Sequence, residues 1–407
     1  MSSALLKKYT FVFIGLFFCF EVVITIRNFS VQLGDLQVYF NLSKRIIVDH
    51  LLPYRDFPSE YPPLAVIPTL IPQLLCQIGT TGFQGFVVFF VLQNILLGLY
   101  MGRVVLKTAQ AFLEEVRALE ISRIYWMLWG ISLPIFLFRY DGFVALLTIL
   151  TVYFIVKQSP GVSGSWLAAG IFAKLYPIVL LPPIIVYYFI NKQYRFLLLF
   201  LGGFSALSAV IFTVMYLLAG NDVVIFLKYH RLRGIQIESF VGGGLLLWYK
   251  IIDAPLETIS NYGAIHLVTS WTDSLLKVLS WGFPICYLAL SGVIYRYFSK
   301  QIGVSVEMLL IAFAAALLLF LVCNKVLSPQ YLIWLLPIIP FLRSQILYCF
   351  AAAFMITIFI YPGSYHRLVE MKFLWVLLLN VRNGLIFVML LLTLFSMPFS
   401  TKNSTLI

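Results

Sequence analysis

Residues 33–66 read LGDLQVYFNLSKRIIVDHLLPYRDFPSEYPPLAV and form the longest polar interval between strongly apolar segments near the N-terminus. The interval holds four acids, three bases and one histidine: Asp35, Asp49, Asp56, Glu60, Lys44, Arg45, Arg55 and His50. Ionisable groups near a hydrocarbon layer are costly unless they pair with each other or line a wet cavity. A loop of this composition in so apolar a chain therefore indicates a functional site.

The chain on either side of this loop is that of a membrane protein. Of its 407 residues 62% are hydrophobic and 11% are charged, and the mean hydropathy is +0.98. Apolar runs of ~17–25 residues, the length that spans a bilayer, recur along the sequence. We predict an all-α polytopic membrane protein with about 11 to 12 transmembrane helices. Residues 1–407 would form one integral membrane domain.

Loop charges set the predicted orientation, because Lys and Arg accumulate in cytoplasmic loops. Residues 9–26 follow two lysines and are predicted to be an uncleaved first span. Residues 62–77 are predicted to be a surface or re-entrant segment, so that Arg103, Lys107, Arg117 and Arg123 lie in one cytoplasmic loop. The further predicted spans are 86–106, 124–138, 143–156, 178–190, 196–219, 275–295, 304–322, 331–341, 346–361 and 384–397, with a half-span at 166–173.

Two long outer loops result from this topology. The first, 27–83, is the expected catalytic loop and carries a helix over 36–50 that lies along the membrane surface. The second, 220–273, contains the run HRLRGIQIES at 230–239. Every polar cluster that is not a cytoplasmic anchor falls on the same outer face, namely 35–61, 139–141, 174, 228–239, 324–330 and 365–367. Convergence of six separated stretches predicts one polar active site.

Asp35, preceded by Gly34, opens the first outer loop. One interpretation is a helix cap at the end of a span. The functional interpretation is a general base that takes a proton from an acceptor hydroxyl, because one well-placed carboxylate is the minimum requirement for that reaction.

Five motifs in order give the chain a resemblance to a known class of enzymes. They are Gly34-Asp35, PYRDFPSEYPP at 53–63, KLYP at 174–177, HRLRGIQIES at 230–239 and NKVLSPQY at 324–331. In this order they resemble GT-C glycosyltransferases, and most closely the bacterial polyprenyl-phosphate-mannose-dependent α-mannosyltransferases of family 87. The sequence departs from many GT-C enzymes at one point: Leu36 follows Asp35 where those enzymes have a second acid.

The resemblance implies transfer of a sugar, with mannose as the family's usual substrate, from a polyprenyl-phosphate-linked donor to an acceptor hydroxyl. Transfer would proceed with inversion on the outer face of the plasma membrane, with Asp35 as the base. Cations would stabilise the departing phosphate, and the candidates are His230, Arg231, Arg233, Lys325, Lys174 and Arg139. The candidates for sugar or acceptor binding are Asp56, Glu60, Tyr61, Asp141, Glu238, Ser239, Asn324, Gln330 and Tyr331.

The expected partners are membrane lipid, the polyprenyl-phosphate sugar and a glycan, glycolipid or protein acceptor. The net charge of +12 forms no continuous stripe, so we expect no nucleic-acid partner. The four histidines are scattered and no acid cluster has ligand spacing, so we expect no metal and no cofactor.

Two alternatives remain from the sequence. A polymerase or ligase acting on lipid-linked oligosaccharides often has paired arginines and a histidine in a late outer loop, which residues 228–239 could provide. A transporter or flippase would fit the helix break at 174–177, but such proteins commonly carry a matching break in a second repeat, and none is evident.

Overall fold

A computed structural model describes residues 29–79 and 81–397. The predicted first span, 9–26, and the predicted tail after residue 397 lie outside the described residues. The described part of the chain is overwhelmingly helical, which confirms the predicted all-α membrane architecture.

The helices, numbered in chain order, are α1 Phe29–Ile47, α2 Ile67–Ile78, α3 Phe83–Gln110, α4 Glu115–Phe136, α5 Asp141–Val156, α6 Pro160–Ala173, α7 Leu181–Ile190, α8 Tyr194–Ala219, α9 Ile225–Leu232, α10 Phe240–Ile251, α11 Thr272–Ser299, α12 Val306–Cys323, α13 Ser344–Ile360, α14 Tyr365–Val369 and α15 Phe373–Phe395. Short 3₁₀ segments occupy Pro63–Val66, Tyr176–Leu180, Gly220–Val224, Pro329–Leu335 and Ile339–Phe341.

Five helical stretches of the described chain are long and apolar enough to cross a membrane: Phe83–Gln110, Tyr194–Leu232, Thr272–Ser299, Val306–Cys323 and Phe373–Phe395. Shorter apolar helices, among them α5, α7 and α13, stand between them. The apolar surfaces of α8 and α11 are almost entirely exposed, whereas more than half of α12 is buried. We infer that α8 and α11 face lipid, and that α12 lies in the protein core.

Three predicted segment boundaries are wrong. Residues 331–341 are 3₁₀ turns and not an α-helical span, because Pro329, Pro337 and Pro340 interrupt the helical hydrogen-bond ladder. Residues 331–340 are nonetheless all buried inside the protein, which is where non-helical backbone is tolerated at membrane depth.

The other two errors concern where the last helix begins and how long the basic loop is. The last helix begins at Phe373 and not at 384, since the polar run NVRNG at 380–384 continues the helix instead of preceding it. The predicted basic loop is also shorter than expected. Arg103 and Lys107 lie within α3 and Arg117 and Arg123 within α4, so that only residues 111–114 connect the two helices.

The predicted second outer loop, 220–273, contains a small sheet that was not expected from the sequence. Strands β1 Ile235–Gln236, β2 Glu257–Asn261 and β3 Ala264–Val268 form an antiparallel sheet with the spatial order β1-β3-β2. The β2–β3 turn has Tyr262 at φ 49° and Gly263 at φ 66°, the backbone of a two-residue hairpin turn. Gln236 pairs with His266 across the β1–β3 register, so the hairpin holds the HRLRGIQIES run in place.

The predicted helix break at Lys174 is confirmed. Helix α6 ends at Ala173, Lys174 is extended with φ −163° and ψ 131°, and a 3₁₀ turn with Pro177 near its start leads into α7. The interruption directs the Lys174 ammonium towards Asp141 at the start of α5.

Candidate active site

A polar cavity of ≈ 230 Å³, called the central cavity below, brings together most of the separated stretches that the sequence analysis placed on one face. Its lining includes Asp35, Arg139, Gln236, Glu238, Ser328, Gln330, Tyr361 and Tyr365, together with the β2–β3 turn. The lining residues come from α1, the α4–α5 connection, the β1 region, the segment after α12 and the segment after α13. The predicted convergence of these stretches is therefore present in the fold.

Asp35 is the half-exposed carboxylate of the central cavity, and a buried arginine and a partly buried tyrosine hold it. The guanidinium of Arg139, which is itself buried, forms an ion pair with the Asp35 carboxylate. The Tyr361 hydroxyl donates to Asp35 Oδ2 at 3.4 Å and also contacts the Arg139 guanidinium. Burial disfavours the charged form of Arg139, but attraction to Asp35 outweighs it and raises the pKa of Arg139. A permanently charged arginine thus fixes an accessible carboxylate.

Glu238 is a second carboxylate in the central cavity, and it is almost fully buried. It accepts from Gln236 Nε2 at 3.2 Å and from the Tyr365 hydroxyl at 3.4 Å. Burial raises the pKa of Glu238 to about 7, although the charge of Arg382 acts in the opposite direction. Glu238 is the acid that the structure places beside Asp35, in contrast to the adjacent acid that many GT-C enzymes carry.

Sequence reasoning missed the groups behind Glu238. Arg382, in the middle of α15, is buried and donates from Nη2 to the backbone oxygen of Glu238 at 3.0 Å. Asn383 donates to the backbone oxygen of Ser239 at 3.2 Å. Tyr361 and Tyr365 were also missed. An arginine inside an apolar helix is itself a signal of a functional or structural partner, so Arg382 could have been found from the NVRNG run.

The predicted phosphate-binding residues of two loops lie together. Lys325 Nζ donates to the backbone oxygens of Arg231 at 2.8 Å and Arg233 at 2.5 Å. His230 lies within electrostatic range of Arg233, Lys174 and Lys325. Burial and the charge of Arg233 lower the pKa of Lys325. These cations stand beside the β1 residues that line the central cavity, since Gln236 N donates to the Lys325 oxygen at 2.9 Å.

Lys174 and Asp141 form a separate, packed ion pair. Lys174 Nζ and Trp334 Nε1 each donate to Asp141 Oδ1 at 2.6 Å. The Trp334 ring is stacked between Tyr176 at 3.9 Å and Tyr331 at 4.0 Å, measured between centroids. The structure therefore uses Lys174, Asp141 and Tyr331 in this cluster, outside the lining of the central cavity. Their predicted contacts with substrate stay predictions.

Several other candidates have local structural partners. Asp56 pairs with Arg55 at 2.9 Å and accepts from Leu52 N at 2.7 Å, within the turn of the first loop. The Ser239 hydroxyl caps α10 by accepting from Gly242 N at 2.9 Å. Asn324 Oδ1 accepts from Val326 N at 3.1 Å. The sequence analysis assigned these three to sugar or acceptor binding, and the structure shows only their local roles.

Glu60 and Tyr61 line a different and larger cavity. This cavity of ≈ 550 Å³, called the side cavity below, lies between α1, the segment at 57–61, α9 and Tyr262 of the hairpin turn. Most of its lining is apolar, and Arg45 and Lys228 are the bases in its wall. Tyr262 faces the side cavity while the neighbouring Gly263 lines the central cavity. The hairpin turn thus stands between the two cavities.

Comparison with known proteins gives one informative relative. Over 358 residues the chain is 24% identical to GPI mannosyltransferase 1 of Candida albicans, an alignment that covers 85% of this chain and 82% of the relative. No family profile matches the chain. The relative supports the resemblance to GT-C glycosyltransferases and gives no support to bacterial family 87 in particular.

Proposed function

We propose that the protein is a membrane mannosyltransferase of the GT-C type. It moves mannose from a polyprenyl-phosphate donor to a hydroxyl of a lipid-linked glycan on the non-cytoplasmic face, with inversion. The observation that carries the proposal is Asp35, an accessible carboxylate fixed by buried Arg139 and by Tyr361 in a cavity built from five separate parts of the chain. The likeness to a mannosyltransferase over most of both chains supports the sugar and the reaction class.

The reaction is a single displacement. Asp35 takes the proton of the acceptor hydroxyl as its oxygen forms a bond to the anomeric carbon. The bond between that carbon and the phosphate oxygen breaks, and the polyprenyl phosphate leaves with the electron pair. Arg139 holds the Asp35 carboxylate in one orientation, which keeps the base and the hydroxyl in line.

The leaving phosphate needs positive charge at the edge of the central cavity. Arg231 and Arg233 can supply it, the imidazole of His230 beside them can donate a hydrogen bond, and Lys325 positions that loop by donating to the backbone oxygens of both arginines. The Nε group of Arg233 is buried without a hydrogen-bond partner among the described residues, so a phosphate oxygen of the polyprenyl-phosphate substrate can accept a hydrogen bond from it. Such charge-assisted contacts are strongest in a site that excludes water.

The relative also bears on the acceptor. Its name describes a transferase of GPI, and we extend that to this chain by proposing a glycosylated phosphatidylinositol as acceptor. This likeness favours a transferase over the two alternatives, the oligosaccharide polymerase or ligase and the transporter. The location in the plasma membrane stays a prediction.

The test is transfer of radiolabelled mannose by the purified full-length chain in nanodiscs, with two donors compared. We expect product from polyprenyl-phosphate-mannose and none from GDP-mannose, and the product should have the anomeric configuration opposite to that of the donor. Product from GDP-mannose alone would reject the lipid-linked donor, and retained configuration would reject the single displacement.

A further inference from the structure

The side cavity has the composition of a lipid-phosphate site. Val38 and Leu42 of α1 contribute apolar surface. Arg45, one turn further along α1, lines the same cavity as Lys228 of α9 and Glu60. A large apolar pocket with a few polar groups at defined positions is typical of a ligand site. Arg45 and Lys228 take no part in the proposed transfer reaction at Asp35.

Both bases keep their charge available. Among residues 29–79 and 81–397, neither Arg45 nor Lys228 lies within ion-pair distance of a carboxylate, although Glu60 lines the same cavity. Arg45 stacks over the ring of Phe57, with its guanidinium carbon 5.2 Å from the ring centroid. Two uncompensated cations beside an apolar cavity favour a ligand that has an anionic headgroup and a hydrocarbon chain.

The geometry of α1 fixes how far this anion lies from the reaction. Asp35, Val38, Leu42 and Arg45 follow the spacing i, i+3, i+7 and i+10, so they share one face of the helix. Ten residues at ~1.5 Å rise place Arg45 ~15 Å along the helix axis from Asp35. The same helix therefore presents the catalytic carboxylate at one end and a cation for a lipid headgroup at the other.

This separation distinguishes the two substrates. In the donor the phosphate oxygen is bonded directly to the anomeric carbon, so the donor phosphate must lie close to the hydroxyl that Asp35 deprotonates. A phosphate near Arg45 and Lys228 is too distant for that arrangement. It suits an acceptor whose phosphate is separated from the reacting hydroxyl by a short glycan.

We propose that the side cavity binds the phosphate and lipid chain of the acceptor, with Arg45 and Lys228 contacting the phosphate. The acceptor glycan then passes the β2–β3 turn and reaches Asp35 in the central cavity. The inference rests on the proposed function for the identity of the reaction. It adds where the phosphate and lipid chain of the acceptor bind, and that α1 sets the distance between this phosphate and the accepting hydroxyl.

The test uses photoactivatable phosphatidylinositol with the full-length chain in phosphatidylcholine nanodiscs, and mass spectrometry locates the label. We expect labelling of peptides from α1 and α9. The double variant Arg45→Gln/Lys228→Gln, which keeps long polar side chains, should reduce that labelling about tenfold. The control Lys44→Gln/Lys250→Gln also removes two exposed charges, but outside the cavity, and should label like wild type.

Two further experiments test whether labelling depends on the lipid phosphate and whether the sugar donor occupies the same site. A photoactivatable diacylglycerol with the same chains lacks the phosphate, so its labelling should not depend on the two bases. Excess polyprenyl-phosphate-mannose should not displace the phosphatidylinositol label. Equal labelling of wild type and the Arg45/Lys228 variant, or displacement by the donor, would overturn the proposal.

The labelling experiment is independent of turnover. If wild type transfers no mannose but the label depends on Arg45 and Lys228, the proposed function fails and the site remains one for an anionic phospholipid. If transfer proceeds and the label does not depend on these bases, only the proposed acceptor site is rejected. With an active enzyme, the Arg45/Lys228 variant should raise the KM for acceptor about tenfold and leave the KM for donor unchanged.

Discussion

Two carboxylate–cation pairs in this protein have opposite arrangements. In Asp141–Lys174 the carboxylate is 0% exposed and the lysine side chain 17% exposed, and an indole N–H shares the same carboxylate oxygen. In Asp35–Arg139 the arginine side chain is 3% exposed while 48% of the Asp35 side chain is accessible. The first pair encloses its acid, and the second presents its acid to a cavity. An ion pair alone is therefore no sign of catalysis, whereas the exposed fraction of the acid distinguishes the two roles.

The largest expected effect is a loss of transfer activity on substitution of Asp35, the accessible acid of the second pair. Asp35→Asn removes the base but keeps an oxygen that can accept from Arg139, so the protein should fold. We expect mannose transfer to fall about 10²–10⁴-fold, the range for loss of a general base. The measurement is the rate of transfer per folded molecule, checked by size-exclusion chromatography. A rate near that of wild type would exclude Asp35 as the base.

The second prediction concerns folding. Asp141→Leu leaves Lys174 without its counter-ion, and loss of one partner of a buried pair costs about 3–5 kcal/mol. We expect a clear fall in the melting temperature measured in detergent. Adding Lys174→Met removes the unpaired charge and should restore much of the lost stability. If the double variant melts like Asp141→Leu alone, the ion pair does not account for the effect.

A smaller change tests how Asp35 is held. Tyr361→Phe removes the hydroxyl that donates to Asp35 and contacts Arg139, and one such hydrogen bond contributes about 0.5–1.5 kcal/mol. We expect kcat to fall several-fold with an unchanged KM for donor. The matched change Tyr176→Phe removes a hydroxyl from the Asp141–Lys174 cluster and should leave kcat unchanged. Equal effects of the two variants would contradict the distinction between the pairs.

The smallest expected effect is on the pH dependence of stability, and it comes from a third carboxylate, Glu238. Burial on folding raises the pKa of Glu238 from its ordinary value of 4.5 to about 7. The folded chain thus binds this proton more tightly than the unfolded chain. Stability from this group is therefore full below pH 4.5 and is lost as the pH rises through about 7.

Melting temperatures between about pH 4 and about pH 8, a range that spans both pKa values, measure this contribution to stability. Glu238→Gln cannot ionise, so its melting temperature should vary less with pH over that range than that of wild type. An identical pH dependence in both proteins would show that another group titrates there.

The sequence predicted the parts of this site that membrane energetics determine. Because polar groups are costly in lipid, clusters such as HRLRGIQIES and NKVLSPQY were expected to lie together in one polar site. Asp35 was identified by its position in the first loop. Pairings could not be predicted in the same way, because Lys174 and Arg139 look alike as single cations in apolar surroundings. Only the structure shows that Asp141 is the counter-ion of Lys174 and that Asp35 is the counter-ion of Arg139.

The missed elements have physical reasons too. The β2–β3 hairpin has strands of only five residues that pair with each other, and β1, which pairs with β3, is only two residues long. Arg382 lies within an apolar helix, and its partner is the backbone at Glu238, which is 144 residues away in the chain. Contacts of that kind leave no local periodicity in the sequence.

The buried 3₁₀ segment between α12 and α13 has a consequence for synthesis. A stretch whose backbone lacks a continuous helical ladder cannot leave the translocon for lipid by itself, because its polar groups need protein around them. Residues 331–340 must therefore be inserted against α4, α5 and α12, which contact them and are already in place, and be closed in by α13, which is made afterwards. The C-terminal helices thus complete the interior of the enzyme, and a nascent chain that stops at Phe341 would expose an unfinished core.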